Sequence, residues 1–474
     1  MHPILWSCRQ LRPAAAVNSS EVGGQVTRIF DLSPFFLNLE NRSPSIRVLT
    51  SAGRGIQVLV SRISVILCLL CVGECTVNAQ TRNADLHALP SPTGPFNIAR
   101  ITLAWKDESR LELLSPNHDR REIVVHIWYP AEKNAGPPAG YLDVKAFEDA
   151  LGEDRLRREF KSAYDSIRNG LVRTHATLGG GFARGMKRSP LLLFSPGGGM
   201  VPDLYAGQLE DLASYGYVVA AITHPYDAML TLFPDGRRIT GDGKRWPSSP
   251  SFPDEVNLNQ LKWHTADIRF VLDELIRADR DTSIAFAGHL DFNRVGAFGH
   301  SFGGEAAAHA CQTDRRLLAC LNQDGLASMA PYYLDERGWG MNQAFMLIQR
   351  SPPTGPPPAE ELAAMKLTLA QAEEILARLN AYQKSTLQNT GSGSYHVLID
   401  NKRTTHMSFS DLPLLQASDI AQAEMSAQVL AVVRSYTLAF FDKTLKGTRS
   451  PLLDGTSVAF IDGVRHFKPG KPTK

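Results

Sequence analysis

Gly299-His300-Ser301-Phe302-Gly303 stands between a β-branched and apolar run, Arg294-Val-Gly-Ala-Phe298, and the helix-forming stretch Glu305-Ala-Ala-Ala308. A G-x-S-x-G pentapeptide in that setting forces a sharp strand-to-helix turn. The two glycines lack the Cβ that would clash there, so the side chain between them is held in a strained backbone and lifted to the carboxyl edge of a sheet. Ser301 is that side chain. A serine hydroxyl attacks poorly until an imidazole takes its proton, and the imidazole needs a carboxylate to fix its tautomer, so an acid and a histidine are expected on later loops.

The chain around this turn alternates strand and helix patterns. Ile123 to Tyr129 reads as an early strand stopped by Pro130, and residues from about Val144 to Val172 read as a charged, helical insertion. Leu191 to Phe194 and Tyr217 to Ile222 are continuous apolar runs, as expected of strands covered on both faces. They flank a helix from Leu204 to Tyr215 that Gly216 ends. Leu261, Thr265, Ile268, Leu272 and Leu275 recur at helical spacing; Tyr395 to Ile399 is a further strand, and Ala421 to Leu445 a closing amphipathic helix. Such alternation predicts an α/β class with a mostly parallel central sheet and helices on both faces. Pro331 to Ser394 interrupts it with a Pro-rich turn and a charged helix from about Glu360 to Leu387, which suggests a helical lid inserted at about 331–394.

In the α/β-hydrolase fold the partners follow in the order serine, acid, histidine. Leu317 to Leu321 reads as the next strand, and Asp324 stands just past it; Asp335 and Asp400 are its rivals. His406, in a loop after a strand, has the required order. His396 points from within a strand, His300 adjoins the nucleophile, and His224, His264 and His309 precede the acid or sit on helices. For a developing oxyanion the expected donors are the Phe302 amide and one from the Pro196-Gly-Gly-Gly199 loop, Gly198 first and Gly199 next. Neither G-x-x-x-x-G-K nor G-x-G-x-x-G occurs there, which argues against a phosphate cradle.

Fifty basic and forty-eight acidic residues leave a net charge of +2 without a basic run, which gives no footprint for nucleic acid. The cysteines form no zinc pattern, and no metal or cofactor is expected; whether Cys311 and Cys320 pair is open at this level. Arg62, the apolar run Ile63 to Gly73 and the small residue Ala79 have the order of a signal peptide, cut after Ala79, and predict a periplasmic or secreted protein. The organisation read from the sequence is therefore an N-terminal extension over 1–57 and a signal peptide over 58–79. A linker over 80–95, a catalytic domain over 96–447 and a C-terminal tail over 448–474 follow. The extension reads either as a start site placed too early, with the true one near Val58 or Val60, or as a disordered leader.

The residues also resemble a known family, the secreted plasma-type platelet-activating-factor acetylhydrolases and their bacterial relatives, over roughly residues 96–445. Gly299-His-Ser-Phe-Gly-Gly304 resembles that family's nucleophile motif, Asp324 falls at its short spacing, and His406-Met-Ser-Phe-Ser-Asp411 is similar to its His-x-x-Phe-x-Asp signature. Leu191 to Asp227 is similar to its oxyanion strand and the β-α-β unit after it. The family's His-Gly-Leu appears here as Pro196-Gly197-Gly198, which changes the pocket wall beside the acyl group. The resemblance implies calcium-independent hydrolysis of short or oxidised acyl esters, including the second glycerol position of phospholipids. The bacterial relatives are broader and include general carboxylesterases and polyesterases. The partners expected are thus a small ester or phospholipid and, through the lid helix, a lipid interface, although the helix's charge equally suits a solvated face. An α/β-hydrolase-shaped binding protein without turnover would ordinarily have lost its serine or histidine; both are present here.

Overall fold

In the computed structural model, residues 86–470 are described, apart from 134–135, 242–253, 326–340, 352–357, 366, 401 and 455–460. The extension and signal peptide expected over 1–79, and the rival acid Asp335, lie outside the described residues.

The elements run β1 (Asn97–Leu111), β2 (Arg120–Ala131), β3 (Pro138–Gly140), α1 (Val144–Leu151), α2 (Glu153–Phe160), α3 (Tyr164–Arg168), β4 (Arg173–Leu178) and β5 (Ser189–Ser195). Then come α4 (Ala206–Ser214), β6 (Val218–Thr223), a small hairpin of β7 (Leu230–Leu232) and β8 (Arg238–Thr240), α5 (Asp254–Ala278), β9 (Leu290–His300) and α6 (Phe302–Thr313). The remainder is β10 (Leu317–Gln323), β11 (Ala344–Arg350), α7 (Ala359–Met365), α8 (Leu369–Gln388), β12 (Ser394–Ile399), α9 (Leu412–Leu415), α10 (Ile420–Leu445) and β13 (Ile461–Phe467).

Eleven strands form one sheet in the order β13-β12-β11-β10-β9-β5-β6-β2-β1-β4-β3. The six from β12 to β6 are parallel to their neighbours, whereas β2, and β1 beyond it, turn antiparallel. This is the mostly parallel α/β sheet that the alternating pattern predicts. Two apolar layers cover its faces, one containing Phe194, Phe298 and Phe441, the other Leu191, Leu193 and Ala297. Phe298 is sealed between Phe194, with ring centroids 4.7 Å apart, and Phe441 at 5.6 Å. Truncating such a ring typically costs about 3–5 kcal/mol.

Chain order reverses at β5, since β6 lies on one side of it and β9 on the other. A crevice opens beyond the carboxyl ends of strands at such a switch point. The glycine loop after β5 and Ser301 after β9 both sit there.

Two expectations about organisation need correction, and the structure adds detail to a third. The 331–394 segment is not a lid inserted into the sheet: Ala344–Arg350 is a buried strand paired on both sides, and α8 is the crossover from it to β12. Ala372, Thr386 and Leu387 of α8 are buried, and Ser394 Oγ donates to Leu387 O at 2.7 Å. The five central residues of β11 are too few for periodicity to separate strand from helix. Likewise, the 448–474 tail carries β13, which closes the sheet edge antiparallel to β12 with His396 opposite Arg465. Finally, the linker ends in ordered straps. Thr93 N donates to Asp211 Oδ1 at 2.8 Å, Gly94 N to Ser214 Oγ at 2.9 Å, and Arg434 Nη2 to Ser91 O at 2.9 Å.

Candidate active site

Ser301 follows β9 with φ 54°, ψ −124°, a conformation that side chains rarely adopt. The glycines of the pentapeptide make that turn fit. A Cβ on Gly299 would come within 2.5 Å of Ser195 O, and one on Gly303 would collide with the carbonyls of Ser195 and Pro196. The backbone strain is offset by Ser301 N donating to Gln323 O at 2.8 Å and by the start of α6, where Gly304 N donates to Ser301 O at 3.0 Å.

Three loops meet at this hydroxyl. Ser301 Oγ donates to His406 Nε2 at 2.8 Å, and His406 Nδ1 donates to Asp324 Oδ2 at 2.7 Å. A carboxylate only accepts, so the proton on Nδ1 leaves Nε2 as the acceptor facing the serine. Asp324 also has positive φ (55°), and its amide is fixed by Ile348 O at 2.8 Å. Arg350, at the end of β11, donates from N to Asp324 Oδ1 at 3.2 Å and from Nε to Oδ2 at 3.0 Å. Burial opposes ionisation of this carboxyl, but the His406 hydrogen bond and the Arg350 guanidinium outweigh burial and hold its pKa below the ordinary value. Arg350 is a participant that the sequence reading missed. Its signal would have been a charged residue closing the apolar run of β11.

The rivals are otherwise occupied. Asp400 closes a turn on Lys402 N at 2.9 Å, His396 Nε2 meets Gln349 Nε2 at 3.0 Å, and His309 Nδ1 meets Thr265 Oγ1 at 2.9 Å. A second Ser–His–Asp array does exist. Ser195 Oγ lies 2.9 Å from His224 Nε2, and His224 Nδ1 lies 2.8 Å from Asp267 Oδ2, with Asp267 clamped by Arg121 and Arg110. Burial separates the two arrays: Ser195 and Asp267 have no exposed surface, whereas Ser301 and His406 are half-buried. Of the two, the Ser301–His406 pair is the one reachable from solvent. The buried charges are shared, since Asp267 also meets Arg110 and Arg121 also meets Glu112, so neither partner of the Arg121–Asp267 pair depends on the other alone.

The amides around Ser301 also sort themselves. Gly197 N donates to Tyr205 Oη at 3.0 Å and Gly199 N to Asp227 Oδ2 at 3.3 Å. Gly198 N carries no hydrogen bond among the described residues, and neither does Phe302 N, an orphan donor as the first amide of α6. A Cβ on Gly198 would lie 3.9 Å from Phe302 Cβ, so the two residues with free amides are neighbours. The stacked rings of His224 and His264, centroids 3.7 Å apart, back this loop, and His264 meets the Phe302 ring edge-on at 4.9 Å. Among the described residues no group of three His, Cys, Asp or Glu side chains could hold a metal ion.

Asp411 ties the His406 loop to α4. Its amide donates to Leu204 O at 2.7 Å, and its carboxyl accepts from Gly207 N at 3.2 Å and from Tyr141 Oη at 3.3 Å. Burial, helped by Glu210 and opposed by the Gly207 amide, pushes this carboxyl up to about 8. The folded protein therefore keeps a proton that the unfolded chain releases from about pH 4 upward, and Asp411 subtracts stability as pH rises toward 8. Asp411→Asn stays neutral throughout. Its melting temperature relative to wild type should become more favourable between about pH 5 and pH 8. Thermal denaturation at both pH values checks this, and a constant difference would mean that the carboxyl is already ionised at the lower one.

Residues 84–237 match the family model described as platelet-activating factor acetylhydrolase, isoform II. A probable 1-alkyl-2-acetylglycerophosphocholine esterase from Arthroderma benhamiae is 28% identical over 249 residues, 50% of this chain and 58% of that protein. A platelet-activating factor acetylhydrolase from Cavia porcellus is 23% identical over 243 residues, 48% of this chain and 53% of the relative. Among solved structures, a ferulic acid esterase from Streptomyces cinnamoneus superposes with a TM-score of 0.59 at 27% identity, covering 81% of this chain and 99% of that one. The chain has the α/β-hydrolase fold and is similar in sequence to proteins named as platelet-activating-factor acetylhydrolases and esterases. It spans a little over half the length of the two relatives it matches in sequence. The family-model match on this α/β-hydrolase takes in β1 to β6 and the glycine loop, and ends before Ser301, Asp324 and His406.

Proposed function

We propose that this α/β-hydrolase is a serine carboxylic-ester hydrolase working through an acyl-enzyme on Ser301. The observation that carries the reading is the hydrogen-bonded chain from a solvent-reachable Ser301 through His406 to Asp324, at 2.8 and 2.7 Å. Ser301 Oγ adds to the ester carbonyl while His406 Nε2 takes its proton. The charge that develops on the carbonyl oxygen falls to the Phe302 and Gly198 amides. Collapse of the tetrahedral adduct breaks the ester C–O bond, and His406 returns the proton to the departing alcohol. Water then repeats the sequence against the acyl-enzyme. Each free amide is worth on the order of 10²–10³ in kcat in comparable sites.

The substrates we favour are short-chain or oxidised acyl esters, such as phospholipids resembling platelet-activating factor, presented at a lipid interface. The names of the sequence relatives support that class. A second reading, a broad carboxylesterase or polyesterase, is favoured by the likeness to a ferulic acid esterase and by the Pro196-Gly197-Gly198 departure. Export is supported by the Cys311–Cys320 disulfide, which suits an oxidising compartment, and by the leader-like residues 58–79. No helix among the described residues is long and apolar enough to cross a membrane.

A fluorophosphonate probe should label the protein once, with the adduct on the Ser301 peptide by mass spectrometry. Hydrolysis rates on esters graded by acyl length, free and in phospholipid, then separate the two readings: a steep fall beyond short chains favours the first, and a flat profile extending to aromatic or polymeric esters favours the second. Labelling elsewhere, or no ester turnover, would overturn the assignment.

A further inference from the structure

His300 precedes the nucleophile yet has no exposed surface, and the reaction sequence above leaves it unused. Both of its ring nitrogens are engaged. His300 Nε2 lies 2.8 Å from the backbone carbonyl of His406, and His300 Nδ1 lies 2.9 Å from Tyr205 Oη. A carbonyl can only accept, so Nε2 carries the proton, and Nδ1 presents its lone pair to Tyr205. Tyr205, itself fully buried, must then donate to Nδ1. The Met200 thioether at 2.8 Å is a weaker acceptor and cannot compete with an imidazole nitrogen. With its proton committed, the phenol oxygen accepts the Gly197 N–H at 3.0 Å. Burial keeps the phenol protonated and the imidazole neutral, which maintains this polarity.

We propose that Tyr205 and His300 are positioning residues: their one-directional hydrogen-bonded bridge, Gly197 N–H to Tyr205 to His300 to His406 C=O, fixes the oxyanion loop and the base loop relative to each other. The bridge begins one residue before the free Gly198 amide and ends on the backbone of the base. It thereby joins the two groups that must act on opposite sides of one carbonyl. A Cβ on Gly197 would sit 3.2 Å from His300 Nδ1 and 3.3 Å from Tyr205 Oη, so a side chain there would crowd both members of the bridge. The inference rests on the ester-hydrolase reading.

Tyr205→Phe removes one oxygen and keeps the ring that packs on Phe194 at 4.8 Å. The expected result is a fall in kcat of about 10- to 100-fold, because a small misplacement of reacting groups is that costly, with KM within about threefold. His300→Asn should behave similarly, and the double variant should be no worse than the poorer single one, since a broken bridge cannot be broken twice. Amide hydrogen exchange at Gly197 should quicken in Tyr205→Phe. That last readout needs no substrate, so it tests the bridge even if wild type proves inert toward esters, the outcome that defeats the functional reading instead. Additive losses, or an unchanged kcat with only a lower melting temperature, or unaltered exchange at Gly197, would overturn the proposal. If His300→Asn does not fold, Tyr205→Phe decides alone.

Discussion

Ester hydrolysis by His406→Ala should be slower than wild type by a factor on the order of 10⁴ to 10⁶ in kcat, with KM little changed. Without the ring, the Ser301 hydroxyl keeps its proton through the attack. No neighbour can take over: His300 is the nearest imidazole, 4.6 Å between centroids, but its Nε2–H is spent on the His406 carbonyl and its Nδ1 on Tyr205. The substitution leaves that carbonyl in place, so the loop should stay anchored and the loss should be chemical. Ser301→Ala and the double variant should each lose about as much, because serine and imidazole act as one unit. The residual rate, from the free amides and binding, sets the floor. Steady-state kinetics on one activated ester checks the series, and a His406→Ala variant within tenfold of wild type would sink the assignment.

Asp324→Asn should cost about 10⁴-fold in kcat, the loss seen when a triad carboxylate becomes an amide of the same shape. Its surroundings leave the amide no harmless orientation. Both carboxylate oxygens face donors, Oδ1 the Arg350 amide and Oδ2 the Arg350 Nε–H and the His406 Nδ1–H. If the new NH2 group takes the Oδ2 position, it donates to Nδ1 and drives the proton onto Nε2, where it faces Ser301 and ends base catalysis. If it takes the Oδ1 position, two donors oppose each other at the Arg350 amide. The kcat/KM profile against pH, measured beside the melting temperature, separates lost chemistry from lost fold; a loss below tenfold would mean that His406 is held by something other than Asp324.

Ser301, Asp324 and His406 were legible because chemistry and local structure make the same demand: a strained turn needs Gly299 and Gly303, and each partner must follow a buried strand. Gly198 was preferred to Gly199 from the sequence without a local reason that separates them, since the difference depends on Asp227 taking the Gly199 amide from a loop beyond β6. Tyr205 escaped for a similar reason. Its partners lie 8 residues before it and 95 after, and nothing local marks a buried phenol as a bridge. Among the strands, β1 went unread: it is half-exposed and carries Lys106-Asp107-Glu108 before its end at Leu111, although it pairs with β2 along most of its length. β11 was hidden by the proline-rich and charged sequence on its C-terminal side, which draws the eye to the surface when the five residues between are core.

The straps at the start of the described chain bear on how the protein can be trimmed. Thr93, Gly94 and the Ser91 carbonyl satisfy Asp211, Ser214 and Arg434, three buried polar residues beneath the first strand of the sheet. Cutting at Phe96 would remove those strap contacts, leaving Asp211 and Arg434 to each other and Ser214 to the Asp211 carbonyl, and would uncover the guanidinium that α10 presents. A shortened version should therefore keep everything from Leu86 onward, and an affinity tag belongs upstream of that point.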